Sequence, residues 1–233
     1  MPPSSLDPQF DAYAQDYDSA LNQGLKLSGE RKEYFADGRG AWMKRVLGQA
    51  GTGRMLDFGC GVGAVTPFLL RHLRLTHLTG SDLSDASLAL ARQQYASEVV
   101  DFCPLGEMKA LAGTFDLAHC NGVFHHIPLE HRLDAARSVF DALKPGGFFC
   151  FWENNKWNPI VHFMMSRVPF DHDAITLWPH EARGLLRSVG FEVLRTDYHF
   201  VFPAALAPFR VLEPALRKLP LGGQYMVLCQ KPR

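Results

Sequence analysis

The feature that most constrains the fold of this chain is a glycine-rich stretch directly after a short apolar segment. The stretch runs Met55-Leu-Asp-Phe-Gly-Cys-Gly-Val-Gly-Ala64, and a helical pattern follows from Pro67 to His72. Its three glycines are Gly59, Gly61 and Gly63. Glycine lets the backbone turn tightly and approach a ligand closely, and the first N–H groups of the next helix can bind that ligand. The stretch therefore predicts a strand, a ligand-binding turn and a helix in succession.

Strand-length apolar runs alternate with helical patterns along the rest of the chain. The strands are predicted at residues 54–58, 77–81, 99–103, 115–120, 147–152, 191–202 and 224–229. Apolar residues three and four apart predict helices at 129–144 and 179–189. Regular alternation of this kind indicates an α/β fold with a mostly parallel sheet and helices on both faces. The proline-containing segment 203–222 separates the last two strands, and it favours an antiparallel return of the final strand.

The residues before this alternation predict two helices, Phe10–Asn22 and Glu30–Leu47. Tyr13 and Tyr17 lie four residues apart in the first helix and therefore share a face. They could close over a bound ligand, or they could dock the helix onto the rest of the protein. We expect this part of the chain to form an N-terminal helical cap.

An acidic residue, Asp82, follows the second predicted strand, nineteen residues beyond Gly63. A carboxylate at this position can accept hydrogen bonds from both hydroxyls of an adenosine ribose. Taken separately, a simple turn would explain the glycines and a helix cap would explain the acid, since Ser84 can cap the helix that follows. The glycine turn and the acid together, at this spacing, predict an adenosine-containing ligand.

Asp57 bears on which adenosine ligand is bound. The pattern Gly59-x-Gly61-x-x-Ala64 also satisfies the fingerprint of NAD-binding proteins. A carboxylate two residues before the first glycine would repel the pyrophosphate of NAD across a short gap. The same carboxylate would attract the ammonium of a methionine group. Asp57 therefore favours S-adenosylmethionine (SAM) over NAD.

The chain resembles the class I SAM-dependent methyltransferases in five stretches that occur in the same order. These are Leu56–Gly63, Asp82, Gly106–Leu111, Phe115–Ile127 and Leu143–Phe148. The resemblance implies a Rossmann-like sheet of seven strands, with the last strand antiparallel, and SAM as the cofactor. Protein-arginine, amino-methylating nucleic-acid and cytosine-C5 methyltransferases carry further motifs that this sequence lacks, which leaves the broad small-molecule group.

The resemblance also implies a set of cofactor-binding residues. They are Asp57, Gly59, Cys60, Gly61, Gly63, Asp82, Leu83, Glu107, Met108 and Asn121. We add Tyr17 of the predicted cap, which could close over the cofactor. Glu107 stands where the family usually has an aspartate that meets the adenine amino group. That position is the one departure from the family pattern in this set.

His125 and His126 directly follow the fourth predicted strand, where a methyl acceptor would lie. Methyl transfer depends mainly on holding the acceptor against the methyl group, and a general base is needed only if the acceptor must lose a proton. Adjacent side chains point in different directions, so we expect only one to face the acceptor. We assign His125 as the general base and His126 as a structural hydrogen-bonding group. The sequence shows no histidine and carboxylate set with metal-ligand spacing, so it predicts no metal site.

The charge and cysteine content disfavour several classes of protein. The sequence has 24 Lys and Arg residues and 24 Asp and Glu residues, so its formal net charge is zero. Nucleic-acid-binding proteins usually carry a basic excess, and we therefore expect no nucleic-acid partner. The five cysteines are scattered without a C-x-x-C pattern, and the first residues lack a signal-peptide pattern. We expect a cytoplasmic protein with buried, reduced cysteines.

These observations favour SAM-dependent methylation of a small molecule, most readily on oxygen. A SAM-binding sensor or partner subunit without catalysis is the alternative, and an NAD-dependent oxidoreductase is less favoured. We expect a cap at residues 1–50, a SAM-binding domain at 51–233 and an acceptor-pocket insertion at about 154–178. The segment Phe202–Leu221 is apolar with basic neighbours. Packing on the sheet or on a second subunit is favoured for it over contact with an anionic membrane surface.

Overall fold

The computed structural model describes residues 25–168 and 174–233 of the chain. The predicted helix Phe10–Asn22, with Tyr13 and Tyr17, lies outside the described residues, and so do residues 169–173 of the expected insertion. The locations that follow concern the described residues only.

A seven-stranded sheet forms the centre of the fold, as the alternating pattern predicts. Its strands are β1 Thr52–Phe58, β2 Arg74–Asp82, β3 Val100–Pro104, β4 Phe115–Asn121, β5 Leu143–Asn154, β6 Glu192–His199 and β7 Gln224–Gln230. Their order in the sheet is β3-β2-β1-β4-β5-β7-β6. Strand β7 pairs antiparallel with both of its neighbours, and the other pairs are parallel. The predicted seven-stranded, mostly parallel sheet with an antiparallel last strand is confirmed.

Helices cover both faces of the sheet. They are α1 Lys32–Leu47, α2 Thr66–His72, α3 Asp85–Tyr95, α4 Arg132–Ala142, α5 Pro159–Met165, α6 Pro179–Ser188 and α7 Glu213–Leu216. Ser84 caps α3 as predicted, because its Oγ accepts a hydrogen bond from the Ser87 N–H at 3.0 Å. The helix predicted at 129–144 is shorter than expected, since Leu129–His131 forms a 3-10 turn and Leu143 already belongs to β5.

Two apolar layers bury the sheet from opposite sides, as expected for a largely parallel sheet. One layer contains Leu56 and Phe58 of β1 together with apolar residues of α4 and α6. The other contains Met55 with apolar residues of α1, α2 and α3. Met43 of α1 is fully buried in this second layer. The last turns of α1 thus pack on the sheet, and the division into a cap and a SAM-binding domain stays a prediction.

The segment between β6 and β7 forms 3-10 turns at Ala204–Leu212, followed by α7. It is joined to the start of α1 by an ion pair between Arg210 and Glu30 at 2.8 Å. Its exposed apolar side chains are Leu206, Phe209, Val211, Leu212, Leu219 and Leu221. Packing on the sheet therefore does not bury these side chains. Within the described part of the chain, no helix is both long enough and apolar enough to cross a membrane.

Candidate active site

The site lies where the chain changes direction within the sheet. Strands β1 and β4 are neighbours, but β2 and β3 extend the sheet on one side and β5 on the other. The connections after β1 and β4 therefore leave in opposite directions and open a crevice at the carboxyl ends of the strands, where open α/β sheets bind ligands. The glycine turn follows β1, and Asn121 ends β4 at the same edge.

The glycine turn after β1 needs glycine for two physical reasons. Its glycines all have positive φ angles: Gly59 at 72°, Gly61 at 52° and Gly63 at 75°. A Cβ atom on Gly59 would also lie 2.3 Å from Cγ2 of Val123, which no ordinary contact allows. The Gly59 N–H donates to the carbonyl of Ser81 at 2.7 Å and so ties the turn to β2. The backbone can thus approach a ligand at this point as the sequence predicts.

Asp82 holds the turn in place from the end of β2. Its Oδ2 accepts a hydrogen bond from the Gly61 N–H at 2.8 Å, and its Oδ1 accepts one from the Ser84 N–H at 3.0 Å. Burial raises the pKa of Asp82 above its ordinary value, whereas these backbone donors act in the opposite direction. Each carboxylate oxygen has a second lone pair, so the group can still accept hydrogen bonds from ribose hydroxyls.

Asp57 and His119 form a buried pair beside the turn. Oδ1 of Asp57 lies 2.7 Å from Nδ1 of His119, and the side chains are 2% and 1% exposed. Oδ2 of Asp57 is buried without a hydrogen-bond partner among the described residues. His119 was not predicted as a site residue, although an imidazole in the apolar run of β4 is a signal that could have found it.

A first cavity of about 110 Å³ opens above the glycine turn. Predicted cofactor residues in its lining are Asp57, Gly59, Cys60, Gly61 and Asn121, and α1 contributes Lys32, Glu33, Ala36 and Arg39. The other predicted residues that the structure describes, Gly63 and Asp82 among them, lie outside this lining. Leu83 is exposed after β2, Glu107 is exposed after β3, and Met108 is buried in the apolar layer that contains Phe58.

A second cavity of about 260 Å³ adjoins the first, and Lys32, Arg39 and Asn121 line both. Side chains connect at this junction: Arg39 Nη1 donates to Oε1 of Gln224 at 3.0 Å, and Gln224 Nε2 donates to Oδ1 of Asn121 at 3.2 Å. Much of the remaining lining is apolar: Phe35, Val161, Met164, Met165, Val168, Phe200 and Phe202. The two cavities thus meet at a polar boundary, with an apolar chamber on one side of it.

His125 lies in the lining of the second cavity and is 4% exposed. Its Nδ1 is 2.6 Å from Oε2 of Glu153, a fully buried residue of β5. Because a carboxylate only accepts hydrogen bonds, Nδ1 carries the proton, and Nε2 is the ring nitrogen that can accept one. Glu153 also accepts a hydrogen bond from the Phe124 N–H at 2.9 Å. Sequence reasoning missed Glu153, although a carboxylate ending the apolar run of β5 was a signal.

His126 lines the second cavity together with His125, where we expected only one of the two to do so. Their ring centroids are 4.1 Å apart. The backbone forms a tight turn here, since the His126 N–H donates to the carbonyl of Val123 at 3.0 Å. Successive side chains in a helical turn diverge by about 100° rather than by the 180° of a strand, so both rings can reach one cavity.

Known proteins resemble this chain over parts of its length. The family model described as a methyltransferase domain matches residues 56–149. The ubiquinone biosynthesis O-methyltransferase of Aromatoleum aromaticum is 32% identical over 120 residues, which cover 49% of this chain and 49% of that protein. The trans-aconitate 2-methyltransferase of Rhodopseudomonas palustris is 28% identical over 128 residues, covering 55% of this chain and 47% of that protein. The chain spans about half the length of these curated relatives.

The fold comparison agrees with the sequence comparison. The SAM-dependent methyltransferase from Mesorhizobium loti has a TM-score of 0.61 at 19% identity, covering 84% of this chain and 100% of that one. Residues 56–149 of this chain thus match a methyltransferase domain, and its fold is that of the class I SAM-dependent methyltransferases. The comparisons bear out the resemblance to this family and SAM as its cofactor, both predicted from the sequence.

The residues around the glycine turn fit SAM. SAM carries an ammonium group, and the buried Oδ2 of Asp57 is an acceptor that such a group can satisfy. The glycine turn leaves room beside Gly61, where a Cβ atom would meet nothing within 4 Å. Asp57 would thus hold the methionine end, and Asp82 would hold the ribose.

Proposed function

We propose that this chain transfers the methyl group of SAM to a hydroxyl oxygen of a small, largely apolar molecule. The observation that carries the proposal is the buried pair of His125 and Glu153 at the wall of the second cavity. That cavity shares Asn121 with the first cavity, so an acceptor in one would lie beside a cofactor in the other.

SAM, when bound, supplies a methyl group on a positively charged sulfur. The side chains around the second cavity hold the acceptor, and the apolar ones exclude water from it. Nε2 of His125 takes the proton of the acceptor hydroxyl as the carbon–oxygen bond forms and the carbon–sulfur bond breaks. Glu153 fixes the tautomer of His125 and stabilises the imidazolium that results.

The acceptor class follows from the shape and lining of the second cavity. A volume of about 260 Å³ lies just below the range of about 300–1,000 Å³ typical of small-molecule sites. Its aromatic and methionine side chains favour a ring or short apolar chain. The name of the ubiquinone biosynthesis O-methyltransferase, 32% identical in the matched region, supports oxygen as the accepting atom.

The cap and the insertion expected from the sequence both contribute to the second cavity. Leu25, Ser28 and Phe35 come from the first part of the described chain, and Val161 and Met165 come from α5. This placement supports the assignment of residues 1–50 as a cap and of 154–178 as an acceptor-pocket insertion.

We propose a small molecule rather than a nucleic acid as the methyl acceptor, because the chain has no excess of basic residues. A cytoplasmic location also stays a prediction.

The proposal is tested by incubating the purified protein with methyl-labelled SAM and a panel of small phenols, enols and carboxylic acids. Mass spectrometry then identifies any methylated product. We expect an O-methylated product, and His125→Ala should lower turnover by about 10²–10⁴-fold while the affinity for SAM is kept. His131→Ala, which removes an exposed histidine, is the matched control. Turnover of His125→Ala within a few-fold of the parent would show that proximity alone carries the reaction.

A further inference from the structure

Asp57 and His119 face each other across two neighbouring strands. Their Cα atoms are register partners in the parallel pair of β1 and β4, 62 residues apart in the chain. The hydrogen bond between Oδ1 and Nδ1 uses one polar atom of each side chain. Because a carboxylate only accepts, Nδ1 of His119 carries the proton. With Nδ1 protonated and the ring neutral, the second nitrogen, Nε2, is an acceptor.

The other polar atom of each side chain has no hydrogen-bond partner in the part of the chain that the structure describes. These atoms are Oδ2 of Asp57 and Nε2 of His119, and both are buried. Leaving a buried acceptor unsatisfied costs free energy, and a functional role is one of the reasons for which structures tolerate it. Both residues line the first cavity, so a ligand in it could satisfy both atoms.

We propose that His119 completes the receptor for the ammonium of the methionine group, to which Asp57 is already assigned: its Nδ1 positions the carboxylate and its Nε2 offers the ammonium a second acceptor. This inference rests on the binding of SAM that the proposed function requires. An ammonium has three N–H donors and can satisfy a carboxylate oxygen and an imidazole nitrogen at once. His119 also holds Oδ1, which fixes the orientation in which Oδ2 meets the ligand.

The charges around the pair agree with a zwitterionic amino-acid group as the ligand. The carboxylate and neutral imidazole leave one negative charge, which the ammonium would neutralise. Among the described residues, the other charged ones in the same lining are Lys32, Glu33 and Arg39, all from α1. The two cations lie in the cavity that would also hold the ligand's carboxylate. These charges suit the amino-acid end of the ligand, which a site that recognises adenosine alone would not contact.

The test compares two ligands that differ in this group. S-adenosylhomocysteine (SAH) carries the amino-acid chain, whereas 5′-methylthioadenosine carries a methyl group in its place. Calorimetry on His119→Leu, which cannot donate to Asp57, should show a loss of about tenfold or more in affinity for SAH. The affinity for 5′-methylthioadenosine should stay within about twofold. His119→Asn places an amide N–H near the position of Nδ1 and should restore much of the SAH affinity.

Four results would overturn the inference, three from calorimetry and one from NMR. Unchanged SAH affinity in His119→Leu would show that His119 has no part in binding, and equal losses for both ligands would show a purely structural role. Absence of SAH binding to the parent protein would overturn the proposed function as well. If the variants do not fold, ¹⁵N NMR of the parent protein decides: the Nε2 signal of His119 should shift with SAH and stay unchanged with 5′-methylthioadenosine. A shift of equal size with both ligands would contradict the inference.

Discussion

Nδ1 of His125 lies 2.6 Å from Oε2 of Glu153, and the two side chains reach each other from different parts of the sheet. His125 belongs to the turn after β4, and Glu153 lies near the end of β5. Both are almost completely buried, so the contact is shielded from water and its geometry is restricted by packing. This contact makes His125 the residue best placed to act as a base.

Replacement of Glu153 by glutamine tests this relationship directly. The amide oxygen can still accept from the Phe124 N–H, but the amide nitrogen would donate to Nδ1 of His125 and force the proton onto Nε2. We expect Glu153→Gln to lower turnover by about 10²-fold or more with little change in SAM affinity. Steady-state kinetics and calorimetry measure the two quantities. Exposed Glu130→Gln is the control, and equal turnover in both variants would refute the role of Glu153.

Substitution by alanine should destabilise the protein by different amounts at Gly59 and Gly61, the first two glycines of the turn. An added Cβ at Gly59 meets Val123 at 2.3 Å, whereas one at Gly61 meets nothing within 4 Å, although both residues have positive φ. We expect Gly61→Ala to cost about 1–2 kcal/mol in the free energy of unfolding, from backbone strain alone. Gly59→Ala should cost about 1–3 kcal/mol more, because Val123 must move. Urea unfolding measures both, and equal losses would contradict the packing at Val123.

His199 should make the protein less stable in mild acid. Its ring packs against Trp42 and Trp152, with centroids 4.7 Å and 5.0 Å away, and burial lowers its pKa to about 4. An unfolded histidine has a pKa of about 6.5, so between these values the unfolded chain binds more protons than the folded one. Stability should therefore fall as the pH decreases from about 6.5 towards 4.

The size of this effect is roughly 1–2 kcal/mol between about pH 6.5 and pH 5. His199→Leu should reduce the fall by that amount, measured as the free energy of urea unfolding at each pH. The lowered pKa values of Asp37, Asp116 and Asp197 act in more acidic solution, below the ordinary aspartate range. His131→Leu, at an exposed position, should keep the parent's pH dependence. The same dependence in His199→Leu would show that His199 is not the group responsible.

The sheet and the glycine turn could be predicted because their signals are local in the sequence. Each strand is a short apolar run, and positive φ angles select glycine wherever the turn occurs. Glu153 and His119 also carry a local signal, because each is a polar residue in an apolar run, but the residues they pair with could not be found this way. Their contacts join residues 28 and 62 positions apart, and they become visible only when β4 is known to lie between β1 and β5.

Helix α1 shows a second limit of local patterns. Gly38 and Gly40 weaken the helical pattern, yet both lie inside the helix. Cβ atoms there would come within 2.8 Å of Phe200 and 2.7 Å of His72. The glycines therefore allow α1 to pack closely against its neighbours, which no pattern within the helix itself reveals. The same packing places Met43 of α1 in the apolar layer that contains Met55 of β1.

The central claim is that the glycine turn binds SAM through its methionine end, and calorimetry with SAM, SAH and NAD tests it most directly. We predict that SAM and SAH bind the parent protein and that NAD does not. Asp57→Ala should weaken SAM binding by about tenfold or more, because a hydrogen bond to a charged group contributes about 1.5–3 kcal/mol. Binding of NAD in preference to SAM, or unchanged SAM affinity in Asp57→Ala, would contradict the account.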